Sequence, residues 1–340
     1  MNIKDSILKF FDKKTVEESI KSINTNPDTK SILKLENKVN YRINATTEKW
    51  RNALRMAEDW ENPDRTQLYM LYNELVDDSV VFNAVDLRIQ RILASQYSIL
   101  NESNDKINDE YQHIFSSNWF EKYIRYSVES IFFGHSLIQI DGIVDNNVKD
   151  ITLIPRKNVM PEFALFKKSE YDRKEAGIDY TQPKLYKWLC EAYNSRRDIG
   201  LLSKVAPYVI SKKTAMIAWA QFVEKFGEPT VIGRTNSNLE SERNNLNNFL
   251  QNLSMNSTAV LDKQTDIEFK ETSRPDVYNV YKELMKSMND EINMLLLGGP
   301  EITSGGSGGS EARANVHQNQ SNYKSKADLR FITNNVNNVL

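Results

Sequence analysis

A chain of 340 residues with 40% apolar and 26% charged side chains has core enough for two domains. Its 44 Lys and Arg against 46 Asp and Glu leave a formal net charge of −2. That balance excludes a global basic field that would draw the chain onto nucleic acid, though not a surface past which DNA slides. One cysteine, Cys190, excludes an intrachain disulfide and a cysteine-built metal site. With neither a secretory leader nor eighteen consecutive apolar residues in view, an intracellular location is the default expectation.

Residues 1–48 read as an arm, because Ile7, Leu8, Phe10 and Phe11 make at most one amphipathic turn. A helical piece lies between Trp50 and Trp60 and is broken by Asn62-Pro63-Asp64. Asp64 can cap the next helix, in which Leu68, Leu71, Tyr72 and Leu75 share one face at i, i+3, i+4 and i+7. Asp77 and Asp78 interrupt, and Phe82, Val85, Ile89 and Ile92 repeat the pattern, with Arg88 and Arg91 off that face and solvated. After the turn-rich 101–109, Trp119, Phe120, Tyr123, Ile124, Ser127 and Ile131 predict a helix stopped near Gly134. Residues 136–140 predict a strand, Asp141-Gly142 its turn and 148–154 its hairpin partner, with a third strand over 185–190. The fold class expected is therefore α+β, helices leading into a small antiparallel sheet.

The stretch from Lys212 to Arg234 is the most informative. Met216, Ile217, Trp219, Ala220, Phe222, Val223 and Phe226 cover a stripe too broad for a helix with one packed side. Gly227 closes that helix, and Pro229 forbids its resumption before the β-prone 230–232. Such a helix needs neighbours on several sides, either its own domain or other copies of the chain. A polar helix follows over 238–253, then short strands at 259–261 and 267–269. A helix from Pro275 places Val277, Tyr281, Leu284, Met288, Ile292 and Leu295 at intervals of three and four and ends at Leu297-Gly298-Gly299-Pro300. Ser304-Gly305-Gly306-Ser307-Gly308-Gly309-Ser310 is a pliable loop. The last helix, from near Glu311, carries only a thin stripe of Val316, Tyr323, Ala327, Phe331 and Val339. It either rests on something outside its own domain or frays.

No constellation carries catalysis. His113, His135 and His317 share no metal-ligand spacing. Glu224 and Glu228 read as a surface pair or an intersubunit salt bridge rather than an acid and its base. The glycine run has no Gly-Lys-Ser or Gly-Lys-Thr to hold a phosphate. Lys212 and Lys213, like Arg196 and Arg197, are modest basic pairs, solvated or in weak, sequence-blind contact with phosphates or another subunit. No cofactor and no enzymatic activity are expected.

Several segments, in this order, resemble the phage portal proteins, specifically the branch typified by Mu-like phages. They are Asn62-Pro63-Asp64-Arg65, Phe133-Gly134-His135-Ser136 and Gly200-Leu201-Leu202, then Trp219-Ala220 with Phe222, Glu224, Phe226, Gly227, Pro229 and Gly233. Leu296-Leu297-Gly298 and the glycine-serine run with Ala312, Val316 and His317 complete the likeness, which covers roughly residues 55 to 335. It implies a portal-type α+β fold with a wing, a helical stem and a short clip, assembled as a homo-oligomeric ring, a dodecamer, around a channel. Such a ring sits at one capsid vertex of the virion, having assembled in the host cytoplasm, and passes double-stranded DNA without reading its sequence. It meets the major capsid or scaffold protein, docks the large terminase subunit and then a neck or tail adaptor, and has no membrane partner. On this resemblance 1–48 is an arm, 49–211 the first part of the wing, 212–227 the stem helix and 228–240 the clip. Residues 241–257 return through clip and stem, and 258–297 are the second part of the wing, with 258–270 rejoining its sheet. Residues 298–310 form the channel loop and 311–340 the helix behind it, with a crown expected beyond. Met216, Trp219, Phe222, Val223 and Phe226 are implied in ring packing, and Glu224, Gly227, Glu228, Pro229, Gly233 and Arg234 in the clip and its docking. Ser304 to Ser310 are implied to line the channel, and Lys212 and Lys213 to touch phosphates weakly. Another head-completion or minor head protein is the nearest alternative, an α+β enzyme a more distant one.

Overall fold

The structure is a computed structural model that describes residues 45–100, 109–144, 147–170, 172–186, 188–226, 230–235, 239–253, 265–270, 275–299 and 311–339. The described residues fall into two units, one made of those up to Ile210 together with those from Met288 onward, the other of those within Ser211–Ser287.

The first unit begins with helices whose starts are set by side-chain oxygens. In α1 (Thr47–Ala57), Thr46 Oγ1 accepts from Lys49 N–H at 3.3 Å. Ahead of α2 (Thr66–Val76), Asp64 accepts from Thr66 N–H at 2.9 Å, and Leu68, Leu71, Tyr72 and Leu75 are buried as their spacing predicts. Asp78 then caps α3 (Ser79–Leu93) by accepting from Val80 N–H at 3.0 Å. The inward row of α3 is Val81, Val85, Ile89 and Ile92; Phe82, expected inside, is 59% exposed. Ala84 and Arg88 are buried on the other flank of that row, so the covered arc is shifted away from Phe82, which falls about 20° past its Ile89 edge. After α4 (Asp109–Phe115), α5 (Asn118–Phe133) buries Trp119, Phe120, Tyr123, Ile124 and Ser127 and stops at Gly134.

The chain then enters β1 (Ser136–Val144), paired antiparallel with β2 (Asn147–Leu153). The hairpin does not turn at Asp141-Gly142. Gly142 is a bulge within β1, where the register slips between Ile140 and Ile143, so the strand runs on to Val144. Three two-residue strands, β3 (Val159–Met160), β4 (Leu165–Phe166) and β5 (Ile178–Asp179), make a second antiparallel sheet that no alternation announced. Residues 185 and 186, the start of the expected third strand, fall in the short helix α6 (Pro183–Tyr186), and β6 (Leu189–Ala192) pairs with β1 to give the order β2-β1-β6. Alternation sorts this sheet. Ile138, Ile140, Ile151 and Cys190 join the helical core, while Leu137 and Leu189 join a smaller core with Val159, Phe166 and Tyr180.

The long helix expected from 212 starts earlier, as α7 (Leu202–Phe226), and carries Pro207 within it. At the sixth position the proline removes one hydrogen bond and sets its ring against the Ser203 carbonyl, a cost offset by the full burial of Leu202, Val205, Ala206 and Val209 around it. In the second unit β7 (Thr230–Thr235) precedes α8 (Glu240–Leu253), and β8 (Thr265–Lys270) pairs with β7 antiparallel from Thr230↔Lys270 to Thr235↔Thr265. Residues 265–270 therefore do not rejoin the sheet of the first unit; the nearer strand satisfies the ladder, with Arg234 set opposite Asp266. The strand expected at 259–261 lies outside the described residues. Next come α9 (Pro275–Leu297), starting at the predicted proline, and α10 (Glu311–Val339). The thin stripe expected on α10 is displaced: Ser321, Asp328 and Ile332 face inward, whereas Tyr323 is 70% exposed. That helix packs on α3, α5 and β6 of its own unit. No helix among the described residues is long and apolar enough to cross a membrane.

Candidate functional site

Three of the segments singled out in the sequence meet in space. Gly134, at φ +89°, and Gly200, at φ +80°, cross so closely that a Cβ on the first would collide with the Asp198 carbonyl and one on the second with the Phe132 carbonyl. Leu201 N–H donates to Ile131 O at 3.1 Å, and Tyr72 Oη to Ile199 O at 2.7 Å. Arg65, from the Asn-Pro-Asp-Arg segment, donates to Asp198 O at 2.7 Å, to Arg196 O at 2.8 Å and to the Glu162 carboxylate at 2.7 Å. The crossing holds the residues just before α7 against the end of α5.

Beside it, Glu191 collects donors. His135 Nε2 lies 3.3 Å from its carboxylate, Arg196 donates at 2.8 Å and Tyr180 Oη also bonds to it. Burial alone would raise the Glu191 pKa, but hydrogen bonds from His135 and Tyr180 hold it below the ordinary carboxylate value. Burial pushes His135 below the usual imidazole value, with Glu191 opposing. Arg156 braces the same corner, donating to His135 O at 3.0 Å and to Glu129 at 2.8 Å. These bonds occupy both Glu191 oxygens, while His135 Nδ1 and Arg196 Nε are buried without a hydrogen-bond partner among the described residues. Burial pushes the Cys190 thiol up to about 12, away from the thiolate a nucleophile needs. Among the described residues no group of three or more His, Cys, Asp or Glu could hold a metal.

A second arrangement pins the roots of the segment between α9 and α10. Arg88 was expected in solvent, yet it is 5% exposed and paired with Asp328 by two bonds, at 2.8 and 2.5 Å. Its remaining nitrogen donates to Leu296 O at 3.1 Å, and its guanidinium lies 4.9 Å above the Phe132 ring. Arg91, also expected in solvent, bonds to Ser321, and Lys324 Nζ caps α9 by donating to Leu295 O at 2.5 Å. One arginine thus ties the last turn of α9 and the middle of α10 to α3. Arg88 lies seven residues after Val81 on the inward face, but spacing alone does not announce a buried arginine. The available signal is that Asp328 is the single acid among 320–339.

The second unit holds the apolar stretch. Ala215 is buried, Trp219 and Phe222 are half-buried, and the Phe222 ring stands 6.1 Å from that of Tyr281 on α9. Met216, Ile217 and Val223 are 51%, 61% and 52% exposed. The stripe is therefore split, part covered within the chain and part bare. Lys212, expected to reach phosphates, is buried at 8% exposure, and Lys213 is half-buried. Glu224 and Arg234 are exposed, and Gly233 sits in β7 opposite Ile267. Gly227, Glu228, Pro229, the Phe226 side chain and all of Ser304, Gly305, Gly306, Ser307, Gly308, Gly309 and Ser310 lie outside the described residues.

Comparison with known proteins gives one sequence-level match. A family model described as the portal protein of Mu bacteriophage matches residues 69–340, all but the first 68 positions of the chain. No curated individual protein matches significantly. Among solved structures, a HK97 family phage portal protein from Corynebacterium diphtheriae is 10% identical, covering 72% of this chain and 82% of its own, at a TM-score of 0.36. The neck of a native GTA particle computed with C12 symmetry is also 10% identical, covering 82% and 76%, at a TM-score of 0.46.

Proposed function

We propose that this chain, which belongs to the Mu bacteriophage portal protein family, assembles as a ring of about twelve copies at one capsid vertex. Double-stranded DNA passes through the ring during packaging and ejection. The observation that carries this reading is the family match over 69–340. The first unit is the wing, α7 beyond 211 with the first half of α9 is the stem, and β7 and β8 with α8 between them are the clip. Exposed Met216, Ile217 and Val223 support it, since apolar side chains left bare in one copy are suited to burial against the next. Trp219, Phe222 and Phe226 complete that packing. Glu224 and Arg234 face the large terminase subunit and later a neck or tail adaptor, and the wing meets the capsid or scaffold. The role is structural and places the protein in the virion.

Negative-stain imaging of the purified full chain tests this. Rings with a central hole and about twelve subunits are expected; monomers or solid particles at micromolar concentration would overturn the reading. Shortening 304–310 is expected to leave rings intact and to impair DNA retention. Normal genome filling by such particles would remove that loop from the channel.

A further inference from the structure

Helix α10 is sorted by the fold into two chemically distinct faces. Its one acid between 320 and 339, Asp328, is turned inward and neutralised by Arg88. One of its cations, Lys324, is spent on the Leu295 carbonyl. What remains outward is a line of Tyr323, Lys326, Arg330, Asn334 and Asn337, all exposed. Intervals of three, four, four and three keep these five within an arc of roughly 80° over about 21 Å of helix. Every one is a hydrogen-bond donor, and no carboxylate stands among them. Neither Lys326 nor Arg330 forms an ion pair among the described residues.

We propose that this outward stripe of α10 contacts the phosphate backbone of duplex DNA without reading sequence. Lys, Arg, Tyr and Asn side chains are the types that hydrogen-bond phosphate oxygens. Two cations spaced among neutral donors give a weak, salt-sensitive grip, which suits a strand that must keep moving. An acidic protein segment would be matched better by clustered cations than by a straight 21 Å line in which three of five donors are uncharged. The inference deepens the portal reading by naming residues that meet the duplex, and it rests on that reading for the choice of DNA. It also replaces Lys212, which the fold buries.

The test uses the full chain, a mixed-sequence 30-base-pair duplex and a salt series. The Lys326→Ala/Arg330→Ala double variant should make the slope of log affinity against log salt shallower by about 1.8, at ~0.9 per phosphate contact. At low salt its affinity should fall on the order of tenfold. Asn334→Asp/Asn337→Asp, which places carboxylates on the stripe, should weaken binding further while leaving the melting temperature unchanged. An unchanged slope in a folded double variant would overturn the proposal, as would absence of duplex binding by the parent chain at 50 mM salt. So would loss of ring assembly with DNA affinity intact, which would assign the stripe to an acidic face of another copy. Ring counts on the same samples keep the two readings apart. Rings without a stripe effect sink only the stripe, whereas a stripe effect without rings counts against the portal.

Discussion

The two units treat their apolar side chains in opposite ways. In the first, Leu68, Leu75, Val81, Val128, Phe132 and Leu137 are wholly enclosed, and even charges are taken inside as Arg65–Glu162 and Arg88–Asp328. In the second, Met216, Ile217, Val223, Leu239 and Val280 each keep more than half of their surface. The helical periodicity behind both is alike. A stripe at intervals of three and four says that a helix will be covered on that face; it does not say whether the cover lies in the same chain. The first unit encloses a large core while leaving Trp60, Phe82 and Tyr323 bare at its surface, whereas among the described residues of the second only Ala215 of the apolar side chains is buried.

Breaking the closed unit should cost the most. Arg88→Ala strands Asp328 in the core and is expected to lose about 3–5 kcal/mol, the usual result of removing one partner from a buried pair. Asp328→Ala should cost a similar amount, and the double variant less than the sum of the two. Denaturant unfolding of the three checks this. If Arg88→Ala loses under about 1 kcal/mol, the pair is not what holds α10 in place. Gly200→Ala comes next, at roughly 3 kcal/mol, because a left-handed conformation and a backbone collision must both be relieved. Thermal melts measure it, and a neutral outcome would mean that the crossing with Gly134 is loose.

These two sites also show where reading the sequence stops. Gly134 as a helix stop, the row from Leu68 to Leu75, Pro275 as a helix start and the glycine after Leu297 were all legible, since each depends on residues within one or two turns. Asp64 and Asp78 were legible as breaks for the same reason. Arg88 was not, because its partner is 240 positions away and a row begun at Phe82 sets it to one side, whereas the row that starts at Val81 includes it at i+7. Phe82 and Val81 could not be told apart by a stripe either of them would fit. The pairing of β8 with β7 was missed because a six-residue strand does not name its neighbour. The crossing of Gly134 with Gly200 was visible only as two separate segments resembling one family, and the fold is what joins them to Arg65. Of the proposed ring residues, Met216 and Val223 were legible as apolar and Lys212 misread as accessible.

A smaller effect, within the first unit, depends on pH. His135 and Glu191 both sit in the first unit with pKa values below their ordinary 6.5 and 4.5, the one through burial and the other through donated hydrogen bonds that outweigh burial. In each case the unfolded chain takes up the proton first as pH falls, so stability rises with pH over this range and declines on acidification. The decline should begin just below pH 6.5 from His135 and continue below pH 4.5 from Glu191. Replacing His135 by Gln should flatten the first part and leave the second. A profile that keeps its full slope near pH 6 in that variant would place the responsible proton elsewhere.

The smallest effect on the isolated chain should be the most informative about assembly. Met216→Asp/Val223→Asp changes two side chains that are already half exposed, so the unfolding free energy should move by no more than about 0.5 kcal/mol per site. In a ring those same positions are buried against a neighbour, and two unpaired carboxylates in every interface would be costly to desolvate. Rings should therefore be lost while the melting curve of the monomer hardly moves. Trp219→Ala is the blunter tool: Trp219 is half-buried within its own chain, so its removal mixes stability with assembly. If the Asp pair unfolds the chain, the bare face is already covered in cis and the contrast between the two units fails. If rings persist with the chain folded, the face is open but unused, and the stem must pack through Trp219 and Phe222 instead.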